Sequence, residues 1–471
     1  MHRALCMTAC AMAAMLTACS FAPVYHAPAL PQVSAFKEAP PPSGVWHYAQ
    51  WPAKVRHDEW WKAFGDPSLD RFETQLAQNN PQLAAAVARH DQSSADLDTA
   101  RSGLFPSLTL DVDSEQNRQS DYRPLRGSSQ PDTYGAHTVT LGVSYELDLW
   151  GRVRNEVRAG AAQQAASADD LAAVKLLLQA DLANAYFETR GLDEQADLLT
   201  RTQIADAKAL TLTENRHAGG ISSELDVYRA RTELENVAAD QARVRRARAA
   251  AEHALATLAG VPASLFTLPV AQTSDAVPDV PAGVPSALLQ RRPDIAAAEQ
   301  RAIAANYAIG VARAAWFPDI SLGLAGGFQS DDPGNWLSAP ASFWSLGPEL
   351  AVDLFDGGRR NAMDHRARAI FDERSADYRQ VALQAFREVE DQLANVRELR
   401  SEAQHESAAA DDATGALALA TGQYRDGAVS YLDVVAAQTS ALDAQRSLIQ
   451  ARTGQLLAAV NLIRALGGGW D

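Results

Sequence analysis

Few residues in this chain are placed to do bond-making chemistry. The ten histidines are scattered without metal-ligand pairing, and no C-x-x-C, nucleophile elbow or Gly-rich phosphate loop occurs. No catalysis, metal or cofactor is therefore expected. Cys6 and Cys10 fall in an N-terminal segment that reads as a secretory signal, which leaves Cys19 as the only mature thiol. One unpaired thiol in an exported protein needs an explanation, and acylation supplies one. The other reactive groups are charges beside two Gly-containing turns. Arg216, Glu224, Asp226 and Arg229 flank Gly219, Gly220 and Ile221, while Asp426 and Asp433 flank Gly427, Ala428 and Val429. Arg216 and Arg229 could pair with these carboxylates, although exposed pairs contribute only about 0 to 1 kcal/mol each.

Long helices must position these turns. From Val153 to Ala218 the sequence is Ala-rich with Gly191 as its main interior blemish, which at 1.5 Å per residue predicts an arm on the order of 100 Å. Gly219 and Gly220 stop it, since a tight reversal needs glycine, and Glu224 to Ala259 runs back as a second helix. A later pair behaves alike, turning at Asp426-Gly427-Ala428-Val429-Ser430 and ending near Leu466-Gly467.

Each helical pair follows a stretch of another kind. In Thr138 to Arg152, Val139, Leu141, Val143, Tyr145, Leu147 and Leu149 alternate with small or polar residues. Such alternation over about twelve residues fits a tilted strand crossing a bilayer, with one face for lipid and one for water. Trp344 to Leu354 repeats it, with Phe355-Asp356-Gly357-Gly358-Arg359 standing where Trp150-Gly151-Arg152 stood. Leu108, Leu110 and Val112 predict a strand after Phe105-Pro106, and Ile320, Leu322 and Leu324 predict one after Phe317-Pro318. Helices are predicted before both, over Pro81 to Gly103 and Asp294 to Ala314, and loops over Asn117 to Ala136 and Gln329 to Ala341. Asp66-Pro67 predicts a further helix start, with Trp60, Trp61 and Phe64 packed against the long helices. After the N-terminus no run of eighteen apolar residues occurs, so helical membrane spans are not expected.

Matched landmarks lie roughly 205 to 212 residues apart, so one unit of helix, strand, strand and long helical hairpin is duplicated. The organisation read from this is a signal at 1–18, an extended tether at 19–59, a first repeat at 60–260, a linker at 261–285 and a second repeat at 286–471. Four strands cannot close a barrel, which takes about eight or more, and an open edge in lipid leaves backbone groups unpaired. The barrel must be shared between chains. Three copies supply about twelve strands and about twelve arm helices, although this arithmetic alone also admits dimers and tetramers. The net charge of −16 argues against nucleic acid.

Leu16-Thr17-Ala18-Cys19 resembles a bacterial lipobox, and Ser20 after it favours sorting to the outer membrane. Arg291-Arg292-Pro293-Asp294-Ile295 through Phe317-Pro318-Asp319-Ile320 resembles the most recognisable block of the TolC/OprM/NodT-type outer-membrane efflux channels. Trp60-Trp61, Asp148-Leu149-Trp150-Gly151-Arg152, Asp353-Leu354-Phe355-Asp356-Gly357-Gly358-Arg359 and Ala465 to Trp470 agree with it, so the resemblance covers essentially the whole mature chain. It implies an α+β membrane protein: a trimeric twelve-stranded β-barrel, four strands per chain, continued by a periplasmic barrel of coiled-coil helical hairpins. The implied function is the outer-membrane exit channel of a tripartite efflux pump, docked to a periplasmic adaptor and an inner-membrane RND-type pump, and lipid-anchored at Cys19.

The same resemblance makes the hairpin tips the closed end of the pore. Asp433 then aligns with a pore-facing aspartate, with Glu224, Asp226 and Asp426 as further carboxylates, and rings of such groups attract cations. Tyr424 aligns with an aromatic that helps hold the tips shut, and packing inside the hairpin is an alternative role for it. Gly219, Gly220, Ile221, Gly427, Ala428 and Val429 resemble adaptor-docking turns, and a gate of many weak contacts is one that a docked adaptor can open. A type I protein-secretion duct and a non-pore periplasmic coiled-coil scaffold are the alternative functions, and the scaffold leaves the paired strands unexplained.

Overall fold

The computed structural model describes residues 20–30, 33, 35–38, 59–123, 131–271, 277, 278, 280, 289 and 291–469. Cys19 and Trp470 lie outside them, as do the signal and most of the tether. A 3-10 turn, Trp60–Phe64, precedes helices α1 (Pro67–Asn79) and α2 (Pro81–Ser102), strands β1 (Ser107–Arg118) and β2 (Thr133–Glu146), and helices α3 (Arg152–Ala218) and α4 (Glu224–Leu258). Helix α5 (Pro293–Ala314), strands β3 (Asp319–Ser330) and β4 (Ser342–Ala351), and helices α6 (Arg359–Asp426) and α7 (Tyr431–Ala465) follow. The duplication holds nearly to the residue: α3 and α6 have 67 and 68 residues, and α4 and α7 have 35 each. Two compact units result. One takes Arg89–Ala168, Ala297–Arg379 and the described residues up to Ala29, and the other takes the described parts of Leu30–Ala88, Asp169–Ala296 and Gln380–Asp471.

The first unit is built on a four-stranded antiparallel sheet in the order β1-β2-β3-β4. Its register sorts most of the side chains by face. Leu108, Leu110 and Val112 pair with Val143, Leu141 and Val139, which pair with Leu324, Gly326 and Phe328; Leu324 and Gly326 in turn pair with Leu346 and Trp344. That face is apolar across all four strands, and its leucines and Trp344 are exposed. The opposite face carries Thr109, Asp111 and Asp113 beside Gly142, Thr140 and Thr138, then Ala325, Gly327 and Gln329. A sheet with one face suited to hydrocarbon and the other to water separates two solvents.

The strands differ from the sequence expectation at their ends. β2 begins at Thr133, inside the stretch expected as loop, because backbone pairing continues through Ser114–His137 and Arg118–Thr133 after the apolar side chains stop. It ends at Glu146, short of Leu147 and Leu149, because Asp148 turns the chain into α3. The Asp148 carboxylate accepts the backbone N–H groups of Val153 and Arg154 at 3.2 and 2.9 Å, satisfying donors that an α-helix leaves open at its start. β4 likewise ends at Ala351, before Val352 and Leu354, and Asp356 accepts the N–H groups of Gly358 and Arg360 at 2.9 and 3.0 Å.

The N-terminal residues of this unit are pinned at the same joint. Phe21 stacks on Phe317 with centroids 4.6 Å apart, and Trp150 stacks on that ring at 4.8 Å. Ser20 donates to the Asn155 side chain at 2.9 Å. A Cβ on Gly310 would meet Ala22 and Asn155 at under 3 Å, so this crossing needs glycine.

The second unit is helical. Trp60, Trp61, Phe64 and Phe72 bury against Tyr186 and Phe187 of α3, the packing expected for these aromatics. Asp66 caps α1 through the Ser68 N–H at 2.8 Å and accepts the Tyr186 hydroxyl at 2.6 Å. Glu73 is buried in α1 with neither carboxylate oxygen hydrogen-bonded among the described residues, and desolvation, reinforced by the Asp70 charge, pushes its carboxyl well above the ordinary range. α3 runs unbroken through Gly191, where a Cβ would overlap the Thr453 side chain of α7. That glycine serves close approach of two helices rather than a break in one.

Candidate functional site

Both helical hairpins reverse within a few residues, and the reversals are built alike. At the first, the Gly220 and Ile221 N–H groups bond back to the His217 and Arg216 carbonyls at 2.9 and 2.8 Å, and Gly220 has φ +73°. At the second, the Gly427 and Ala428 N–H groups bond to Tyr424 and Gln423 at 3.1 and 2.8 Å, and Gly427 has φ +82°. Each left-handed residue closes the carbonyls of its helix, a position that glycine fills without steric cost. A Cβ on either glycine would meet nothing within 4 Å among the described residues. Gly219, Ile221 and Ala428 are exposed beside them and Val429 is half-buried.

The returning helices start from serine caps. Ser223 and Asp226 form a reciprocal capping box, in which the Asp226 N–H donates to Ser223 Oγ at 3.2 Å and the carboxylate accepts the Ser223 N–H at 3.2 Å. In the second hairpin the Asp433 carboxylate accepts both the Ser430 hydroxyl, at 2.7 Å, and its N–H, at 3.0 Å. These bonds, the hydroxyl's first, hold the Asp433 carboxyl below the usual aspartate range. The S-x-x-D spacing that produces both caps was present in the sequence. Replacing Ser223 with alanine is expected to cost about 1 kcal/mol of local stability. Faster hydrogen exchange confined to the first turn of α4 would register it.

The remaining charges divide. Glu224, the exposed first residue of α4, accepts the Tyr228 hydroxyl at 3.0 Å, and Asp226 also faces Arg229 at 3.5 Å. Asp426 is the exposed last residue of α6. Arg216 bonds carbonyls rather than a carboxylate: Nη1 donates to the Tyr424 and Arg425 oxygens at 3.1 and 3.2 Å. A cation at these open carbonyls complements the C-terminal dipole of α6. Its guanidinium also sits 4.7 Å from the Tyr424 ring centroid.

These contacts join the two hairpins. Tyr424 packs 5.3 Å from Tyr431, and both bury with Ala230 of α4 and Val434 of α7. The Tyr424 hydroxyl is buried without a hydrogen-bond partner among the described residues. Tyr431 was not singled out by sequence, because its counterpart in the first repeat is the exposed Glu224. Further along α3, buried Asp206 accepts Gln438 Nε2 of α7 at 2.9 Å. Burial, and secondarily the Glu233 charge, raise its carboxyl to about 6. The tip is therefore a compact apolar cluster edged by carboxylates.

Known proteins share this architecture. The sequence profile of the outer membrane efflux protein family matches residues 74–261 and 284–468. Outer membrane protein OprJ of Pseudomonas aeruginosa is 33% identical over 464 residues, covering 98% of this chain and 95% of the relative. The solvent efflux pump outer membrane protein SrpC of Pseudomonas putida is 33% identical over 463 residues, covering 97% of each. Among solved structures, the outer-membrane channel OprN superimposes with a TM-score of 0.86 at 28% identity, covering 96% of this chain and all of that one.

Proposed function

The chain belongs to the outer membrane efflux protein family, and from that premise we propose that it acts as the outer-membrane exit channel of a tripartite efflux pump, conducting small toxic compounds passively. The observation that carries this reading is the sheet: one apolar face, one polar face and two outer edges, β1 and β4, without partners among the described residues. Open edges in lipid are costly, so copies join edge to edge, and three copies make a twelve-stranded barrel. The helical hairpins continue the conduit in the periplasm. Gly219, Gly220, Ile221, Gly427, Ala428 and Val429 receive a periplasmic adaptor that links the channel to an RND-type pump. Tyr424, Arg216 and Arg229 hold the tips, and Asp433, Asp426, Asp226 and Glu224 set the charge of the constriction. Cys19 carries the lipid. Ser20 and Phe21, the first described residues, dock on Asn155 and Phe317 at the strand–helix joint.

Dye accumulation and a susceptibility panel of antibiotics, detergents and metals test the reading in cells with and without the protein. Loss of the protein is expected to raise accumulation several-fold, and wild type is expected to reverse it. Ala428→Trp is expected to reach the membrane in normal amount yet leave accumulation high, because it fills the open space beside Gly427 where an adaptor must sit. No change in either readout upon loss of the protein would favour protein secretion instead.

A further inference from the structure

The second unit offers two unlike flanks. Helix α7 lies between α4 and α6: Arg446 of α7 reaches Asp240 of α4 at 2.7 Å, and Gln455 of α7 donates to the Leu399 carbonyl of α6 at 2.9 Å. α3 packs on α4 through Arg248 and Asp193 at 2.6 Å. Gly191 against Thr453, and Gly454 against Leu399, bring α3, α7 and α6 to the level of that pair. One turn tipward of this level, α4 exposes Arg243, Arg245 and Arg246, three cations within four residues. At the matching height α6 carries Glu398, Glu402 and Glu406, each four residues from the next, with Glu398 and Glu402 exposed. Arg246 and Glu402 have no ion-pair partner among the described residues; Arg243 pairs with Asp240, and Glu398 with Arg397. Like charges at i,i+4 repel along a helix, so Glu402, between Glu398 and Glu406 and without an ion-pair partner among the described residues, gains from a cation on a neighbouring copy.

We infer that the α4 arginine cluster of one copy docks on the α6 glutamate stripe of the next copy, so that charge sets the register of the helical ring. This rests on the closed multi-chain barrel proposed above. Two different flanks of one chain meet head to tail in a ring, the only closed arrangement that uses both. The contact lies at the periphery of a larger helix junction and supplies register and mutual recognition.

The test uses full-length protein purified in detergent. Arg245→Glu with Arg246→Glu, and separately Glu402→Arg with Glu406→Arg, are each expected to raise the dissociated fraction about tenfold, as several weak pairs turn repulsive at every junction. The four-site swap is expected to restore wild-type assembly, which misfolding of either half could not do. In a Cys19-acylated background, Arg246→Cys with Glu402→Cys should be linked between copies by a short bis-maleimide, and neither single variant should. Unchanged assembly of both reversal variants, absence of rescue, or cross-links only to other proteins would overturn the inference. A monomeric wild type would instead overturn the ring reading on which it rests.

Discussion

Tyr431→Ala is expected to cost about 3 to 5 kcal/mol and to convert a quiet channel into one with sustained large openings in planar bilayers. Only 2% of Tyr431 is exposed, and its ring fills the space between Tyr424, Ala230 and Val434, so truncation leaves a void where the two hairpins meet. The surrounding ion pairs are exposed and individually weak, and cannot replace that ring. A paired variant separates packing from hydrogen bonding. Tyr424→Phe is expected to keep the channel quiet and to change stability by less than about 1 kcal/mol, since its buried hydroxyl has nothing to lose. If Tyr424→Phe opened the pore as widely as Tyr431→Ala, the lock would be a hydrogen bond to a neighbouring copy rather than a packed core.

The second large effect is a pH dependence centred on Asp206. Its carboxyl rises from 3.8 to about 6 in the fold, so between those values the folded chain binds more protons than the unfolded one, and stability falls as pH rises. The loss is complete above about pH 6 and amounts to roughly 3 kcal/mol at most. Asp206→Asn should remove that slope. The asparagine oxygen can still accept from Gln438 Nε2, and its amide can donate to the Gln438 oxygen, which is buried without a partner among the described residues. Thermal unfolding at pH 4 and pH 7.5 checks this: the variant should gain on wild type at the higher pH and match it at the lower. Equal differences at both values would mean that Asp206 does not titrate across this range.

How much could be read beforehand depended on whether a feature was periodic or tertiary. The duplication, the helical hairpins and the Gly turns were legible, because alternation, Ala-rich runs and left-handed glycines are local. The sheet's lipid face was legible for the same reason. Strand ends were not: side-chain alternation marks where lipid lies, whereas pairing ends where Asp148 and Asp356 begin to cap helices, a signal carried by one carboxylate in each repeat. The carboxylates at the turns are legible as charges, whereas their engagement by Ser223 and Ser430 rests on a three-residue spacing that carries meaning only once the helix start is placed. Arg216 looks like a partner for acids in sequence, which presents charges and hides open helix carbonyls. Tyr431 and Asp206 had no signature, since each gains its character from helices that come together only in the fold.

The middle of the sheet constrains how the molecule can be made. β2 and β3 come from different repeats, and their register joins His137 to Ser330 and Glu146 to Ser321, partners roughly 175 to 193 residues apart. Each β-hairpin by itself is two-stranded and marginal, so neither half of the chain matures its sheet without the other. The helical hairpins, whose contacts are closer in sequence, can form while the strands are still unpaired. During that interval the apolar strands are open to mispairing, which is the period in which a periplasmic chaperone has most to protect. Biogenesis is thus ordered by topology: helices first, the union of the two repeats next, and membrane insertion only with the arrival of other copies.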